Sequence, residues 1–285
     1  MLAIGRHYWT LVKELQTGLL LTTGVAGYMC ARCPVSSALI VVGLVGSLFL
    51  AIAGSTVLNM WYDRDIDAKM DRTCRRPLPS GQIRSRNALV FGLVLAIVGV
   101  CWALAIDRLF GIIVLAGLIF DVVIYTIWLK RRTAWSIVWG GIAGGMPVLA
   151  GRALAVGHID WIGLVLAMAI LFWIPTHMLT FSMRYHDDYQ KAGIPTFPAR
   201  YGFQKTRLVI AISSVLAALA ITLSAIGLGM AMGYLRLIAF LSIGLLALAI
   251  VSVLRPSEKI NFSLFKYASF FMLNAMILLV VFGIF

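Results

Sequence analysis

Asn59, Asp63, Asp67 and Asp71 recur at every fourth position of a 285-residue chain, in the stretch Asn59-Met-Trp-Tyr-Asp-Arg-Asp-Ile-Asp-Ala-Lys-Met-Asp71. On a helix that spacing puts four oxygen-bearing side chains on one face. Acids one turn apart repel unless a cation lies between them. The hard cation suited to a few carboxylate and amide oxygens is Mg²⁺, whose shell is commonly completed by substrate phosphates. Arg72, Arg75 and Arg76 follow at once, and guanidinium groups match phosphate oxygens. The bland alternative is a solvated helix end whose acids and arginines balance one another. Against it stands the position of Asn59 at the end of a long apolar run, because ionisable groups at membrane depth are costly to keep without a use. The reading is a Mg²⁺ site made by Asn59, Asp63 and Asp67 that grips the diphosphate of a lipid.

The elements that must hold these residues are membrane helices. Hydrophobic residues make up 61% of the chain and charged ones only 12%, about half the charged share of a soluble domain. Nine apolar spans are read near 16–32, 36–60, 87–106, 109–129, 135–151, 160–183, 208–230, 234–254 and 264–285, which predicts an all-α membrane bundle and a single domain over 1–285. No cleavable secretory leader is expected at the N-terminus. Of the 24 Lys and Arg residues, 20 fall on one side of this arrangement. That bias places the N-terminus and the charged loops in the cytoplasm of a multi-pass cell-membrane protein. It also accounts for the net charge of +13 without any nucleic-acid partner. Cys30-Ala-Arg-Cys33 has no second pair and no His cluster, so a loop-end disulfide or two idle thiols is expected rather than zinc.

Two long loops, roughly 61–86 and 184–207, each follow an even-numbered span and each begin with acids, Asp187 and Asp188 in the second. A shared order of acids, prolines, glycine and glutamine hints at an internal duplication. Adjacent acids point to different faces of a helix, so at most one of Asp187 and Asp188 is expected to meet the metal. Lys130, Arg131 and Arg132 serve as a positive-inside anchor and also suit a diphosphate. In Trp173-Ile-Pro-Thr-His177 the proline opens the helical hydrogen-bond ladder. His177 is expected on a cavity side or bonded to a neighbouring helix. Gly140, Gly141, Gly144 and Gly145 allow close helix packing and equally leave room for a flat ligand.

At these positions the chain resembles the UbiA superfamily of intramembrane prenyltransferases and, within it, the branch that farnesylates protohaem IX. The matching segments are Asn59-x-x-x-Asp63-Arg-Asp-Ile-Asp67-x-Lys-Met-x-Arg72-Thr-x-x-Arg76-Pro77, Tyr125-Thr-x-x-Leu-Lys130-Arg131, Met146-Pro147-Val-Leu-Ala-Gly151, Trp173-x-Pro-x-His177 and Asp188-Tyr189-x-Lys-Ala-Gly193-Ile-Pro195. The resemblance implies nine helices around a central cavity that opens sideways to lipid, with the two acidic loops over its cytoplasmic end. It implies Mg²⁺ as cofactor, farnesyl diphosphate as donor and protohaem IX as acceptor. Lys13, Arg72, Arg76, Lys130 and Arg131 are then the diphosphate contacts. His177, Tyr125 and Tyr185 face the acceptor, with His177 as a candidate ligand of the haem iron. Asp187 and Asp188 join the metal set.

Other readings have their own marks. Superfamily members that prenylate aromatic quinone precursors typically carry a second Asp-x-x-x-Asp, which this chain lacks, and a glycerol-phosphate lipid is a further possible acceptor. A transporter is expected to bury charge at mid-span, where this chain has only Asp121.

Overall fold

The computed structural model describes residues 2–31 and 38–285, and among them every regular element is helical. In chain order these are α1 (Leu2–Val12), α2 (Glu14–Met29), α3 (Ala38–Tyr62), α4 (Arg64–Asp67) and α5 (Ser85–Ile106). Then follow α6 (Arg108–Leu129), α7 (Ser136–Val156), α8 (Trp161–Arg184), α9 (His186–Lys191), α10 (Phe197–Gly227), α11 (Met232–Leu254) and α12 (Glu258–Ile284). Eight of them, α3, α5, α6, α7, α8, α10, α11 and α12, are long and apolar enough to cross a membrane. The first expected span is the 16-residue α2, about 24 Å at 1.5 Å per residue and so short of a hydrocarbon core of about 30 Å. Cys33 lies outside the described residues; Cys30, its expected partner, is a buried free thiol.

Two boundaries differ from hydropathy. The helix expected from 208 begins at Phe197, with a break at Gly202 (φ 81°), and the last begins at Glu258 rather than 264. Polar residues such as Lys205 and Lys259 sustain a helix beyond the bilayer as readily as apolar ones, so hydropathy locates the apolar part alone. Caps mark other ends: the side chains of Asp107, Asp160 and Ser257 accept from the backbone N–H groups of Phe110, Gly163 and Ile260, which satisfies first-turn donors.

The helices are sorted by residue size. Small residues such as Ala51, Ala53, Ala96 and Ala103 face inward, while Leu39, Ile97, Phe240 and Leu254 point outward. Outer surfaces meant for lipid need no polar cover, and tight interfaces between helices in lipid depend on close backbone approach. At the α3–α5 contact a Cβ on Gly54 would lie 2.4 Å from the Ala96 nitrogen, and one on Gly99 would lie 2.4 Å from that of Ala51. Of the α7 glycines, Gly145 sits against the α8 backbone at Ala167, and leucine and isoleucine side chains of α8 occupy the space beside Gly141 and Gly144. Packing is thus their use, and only Gly140 faces a candidate site residue, Tyr125.

The pairs α3–α5 and α8–α10 form the most extensive helix contacts. Each hairpin carries one of the two acidic loops. The bundle closes where α12 packs against α2 and α8. Between these three helices lies a small apolar cleft of about 30 Å³, with Leu19, Leu20, Trp173, Ser269 and Met272 in its walls.

Candidate active site

The acidic stretch keeps helical hydrogen bonding past the end of α3. Asp63 N–H donates to Asn59 O at 3.0 Å and Asp67 N–H to Asp63 O at 2.8 Å. Asn59, Asp63 and Asp67 therefore share one face, as their spacing predicts. Asp71 departs from it: the chain turns after Asp67, and Asp71 reaches outward to Lys191 at 2.7 Å. Asp63 and Asp67 are both buried, 2% and 6% exposed. Burying carboxylates requires partners, and cations from two other segments supply them. Lys130 pairs with Asp63 Oδ2, and Arg76 meets Asp67 Oδ2 at 2.8 Å. Arg131 forms a two-pronged contact with Asp65, at 2.6 and 2.8 Å, and stands 3.7 Å from Asp63 Oδ1. Its guanidinium holds the Asp65 carboxyl below the usual carboxylate range. Asn59 donates to Thr126 Oγ1 at 2.7 Å, which fastens α3 to α6.

Of the candidate diphosphate contacts, two have no carboxylate partner among the described residues, Lys13 and Arg72. Lys13 links α1 to α2 and is the sole non-glycine at positive φ (49°) among the described residues. Such a conformation is strained for a lysine and survives where surrounding structure enforces it. Burial, then the charges of Arg76 and Lys130, lower the pKa of Lys13 to about 8. Arg72 lies over the rings of Phe181 and Tyr185, at 4.9 and 5.2 Å, with its buried Nε unbonded. An excess of cations around buried acids is the electrostatic outline of a site for an anion.

The two acidic loops meet here. Asp188 accepts from the backbone N–H groups of Asp71 and Arg72 at 3.3 Å each. Beneath it Ile66, Met70, Ala192 and Ile194 form a small apolar cluster. The structure thus gives Asp188 the work of clamping one loop to the other, and Asp187 is exposed. Among the described residues no three His, Cys, Asp or Glu side chains form a ready-made metal cage. A cation could nonetheless fit, because Asp63 Oδ1 is buried and accepts no hydrogen bond, the amide oxygen of Asn59 is adjacent along the face, and substrate oxygens can complete the shell.

His177 is set apart, deeper in α8. Its ring is stacked between Trp173 and Phe265, with centroids 4.8 and 4.5 Å away, and its Nδ1 is 3.0 Å from Ser269 Oγ. The Ser269 hydroxyl is within donating distance of Phe265 O, so it accepts from Nδ1–H and leaves Nε2 with its lone pair. Tyr125 lies against Lys130, 5.7 Å from ring centre to Nζ. Tyr185 is not beside His177 but at the mouth with Arg72. The sequence reading missed what joins them: Trp173, His177 and Phe181 along α8, and Tyr185 just past its end, follow one another every fourth residue, and Phe265 bridges His177 to Phe181 at 4.5 and 5.8 Å. The signal was present as an aromatic i, i+4 stripe. Phe265 and Ser269, on another helix, left no such trace.

The UbiA prenyltransferase family model matches residues 19–282. A protoheme IX farnesyltransferase of Pyrobaculum islandicum is 35% identical over 263 residues, 92% of this chain and 94% of the relative. One of Archaeoglobus fulgidus is 41% identical over 198 residues, covering 70% and 69%. Among solved structures, digeranylgeranylglyceryl phosphate synthase shares the fold with a TM-score of 0.81 at 22% identity, covering 99% of both chains. A UbiA homologue from Archaeoglobus fulgidus bound to GPP and Mg²⁺ has a TM-score of 0.72 at 16% identity, covering 96% of this chain and 99% of that one. With the family pattern extending across nearly all of its length, this chain belongs to the UbiA prenyltransferase family.

Proposed function

We propose that this protein transfers the farnesyl group of farnesyl diphosphate to a vinyl group of protohaem IX, giving haem O, as a single-domain enzyme of the cell membrane whose acidic loops face the cytoplasm. The observation that carries the reading is the cation-rich cluster at one end of an apolar bundle, where Asp63 and Asp67 are paired with Lys130 and Arg76 while Lys13 and Arg72 have no acid partner. The acceptor follows from the names of relatives that match most of the chain. The orientation rests on the asymmetry of Lys and Arg.

Asn59, Asp63 and Asp67 would hold Mg²⁺, which when bound supplies Lewis-acid stabilisation of the leaving diphosphate. Lys13, Arg72, Arg76, Lys130 and Arg131 bind and orient the phosphate oxygens. They supply fixed positive charge where negative charge grows as the C–O bond breaks. The ion pairs of the free protein are consistent with this use, since Lys130 and Arg76 can exchange a carboxylate for a phosphate. Asp188 holds the backbone that carries Arg72. The apolar interior receives the isoprenoid chain and excludes water from an allylic cation.

Purified protein given farnesyl diphosphate and Mg²⁺ with protohaem IX, an aromatic quinone precursor or a glycerol-phosphate lipid should prenylate the haem alone. Prenylation of one of the others, with haem unmodified, overturns the acceptor. Farnesyl diphosphate left intact with every acceptor overturns the enzyme assignment.

His177 is proposed to present Nε2 to the haem iron. Its Nδ1–H is held by Ser269 and its plane by two rings, the restraint that outer-shell partners give a metal-ligating histidine. His177→Ala should shift the Soret band of bound haem and lower farnesylation about tenfold or more, with donor binding retained. An unchanged Soret band with normal transfer makes His177 a packing residue.

A further inference from the structure

One ionisable group inside the bundle has no part in the scheme above. Asp121 lies in α6, where residues Ile119–Leu129 are wound as a π-helix, a winding that is rare and frequently marks a functional segment. Ser55 of α3 donates to its carboxylate Oδ2. Thr126 donates to its backbone carbonyl at 2.7 Å, and Asn59 donates to Thr126, also at 2.7 Å. The Asp121 side chain is half-buried, and the charged groups around it are Lys13, Lys130 and Asp63. Ser55, Asn59, Asp63 and Asp67 fall at intervals of four, so the face that carries the acids continues one turn deeper than the metal set. At 1.5 Å per residue, Ser55 is about 6 Å below Asn59 and about 12 Å below Asp63 along the helix axis. Lys13 and Lys130, two of the proposed diphosphate contacts, are the cations around Asp121, so the allylic carbon, one bond from the diphosphate and leading into the apolar interior, belongs on the side of the diphosphate that faces the Ser55–Asp121 pair.

Prenyl transfer must discard a proton. The acceptor's π electrons form a bond to the allylic carbon, whose C–O bond breaks with its electron pair leaving on diphosphate. The positive charge passes to the acceptor. It is quenched either by loss of a ring proton or, for a vinyl group, by bonding of a water oxygen and loss of a proton from that water. Both routes release one proton in a space that otherwise excludes solvent. We propose that the Asp121 carboxylate, held by Ser55, accepts this proton. This rests on the prenyl transfer argued above, but it applies to a vinyl or an aromatic acceptor alike. The hydrogen bond from Ser55 engages one carboxylate oxygen of Asp121 and leaves the other available to take the proton.

The test compares diphosphate release with prenylated product in a single reaction, using wild type, Asp121→Asn and Ser55→Ala with farnesyl diphosphate, Mg²⁺ and whichever acceptor the wild type prenylates. Wild type should give one product per diphosphate. Asp121→Asn should retain diphosphate release within about threefold and farnesyl diphosphate affinity unaltered. Its product should fall at least thirtyfold, the farnesyl group being recovered as farnesol formed by water that enters as the site opens, the proton of that water passing to solvent. Ser55→Ala should show the same uncoupling more weakly, and it decides the matter if Asp121→Asn does not insert into membranes. Asn at 121 with wild-type coupling and rate overturns the proposal. So does a parallel fall of release and transfer, which would assign Asp121 to binding or to the fold. Wild type that releases no diphosphate with any acceptor overturns the prenyltransferase reading instead.

Discussion

Asp63→Asn and Asp67→Asn should each lower farnesyl transfer at least about a hundredfold, equivalent to about 2.7 kcal/mol in the barrier at 1.36 kcal/mol per tenfold. An amide keeps the shape of the side chain and loses the charge that attracts a divalent cation. Alanine would lose the same function but is the poorer test at position 63. There the carboxylate is 3% exposed and pairs with a Lys130 side chain that is 18% exposed, and removing one partner of a buried pair costs about 3–5 kcal/mol. The Asp67–Arg76 pair is more open, with Arg76 26% exposed, so Asp67→Ala should be nearer to a pure loss of activity. Turnover is measured together with thermal stability in detergent and with membrane insertion. Near-normal turnover in both asparagine variants, at unaltered expression, would remove the metal role from these acids.

The pairing of Asp63 with Lys130 illustrates what a sequence can and cannot disclose. The interval of four in 59–67 is a local property that helical geometry converts directly into a shared face, and it survives in the fold because backbone hydrogen bonding continues to Asp67. Asp71 obeys the same interval and yet faces away, because the helix ends before it. Nothing in the interval itself reports that ending. The charge partition placed the 61–86, 130–132 and 184–207 segments together at one end, and the contacts of Lys130 with Asp63 and of Asp188 with the Asp71 and Arg72 amides agree with it. Which acid meets which cation is a matter of tertiary geometry. Asp187 and Asp188 entered the metal set through resemblance, and the contacts that Asp188 makes with the backbone of Asp71 and Arg72 have no trace in the sequence. Asp121 was noticed only as an oddity within a span. Its significance depends on Ser55, 66 positions away, and on an i→i+5 winding that hydropathy does not register. The 16-residue α2 shows the same limit: an apolar window of spanning length was visible, but the described helix within it is shorter.

Arg72→Ala should raise the KM for farnesyl diphosphate roughly 10- to 100-fold, the equivalent of about 1.5–3 kcal/mol for hydrogen bonds to a charged group. The Mg²⁺ requirement should change less. The reason lies in how the two arginines are held. Arg76 is tied to Asp67, so Arg76→Ala removes a phosphate contact and also frees a buried carboxylate. Its effect should include some change in metal dependence along with the loss of donor affinity. Arg72 has no acid partner among the described residues. Its guanidinium rests on Phe181 and Tyr185, and that stacking fixes its plane without using its N–H donors. Lysine at 72 restores the charge but neither the planar stacking nor the two-pronged grip on phosphate, so Arg72→Lys should recover only part of the lost affinity. Tyr185→Ala, which removes one of the supporting rings, should shift the donor KM in the same direction by a smaller factor while kcat changes little, the signature of lost uniform binding. Steady-state kinetics with farnesyl diphosphate and Mg²⁺ varied independently distinguish the cases. A shifted Mg²⁺ requirement at an unchanged donor KM would mean that Arg72 serves the metal acids rather than the diphosphate.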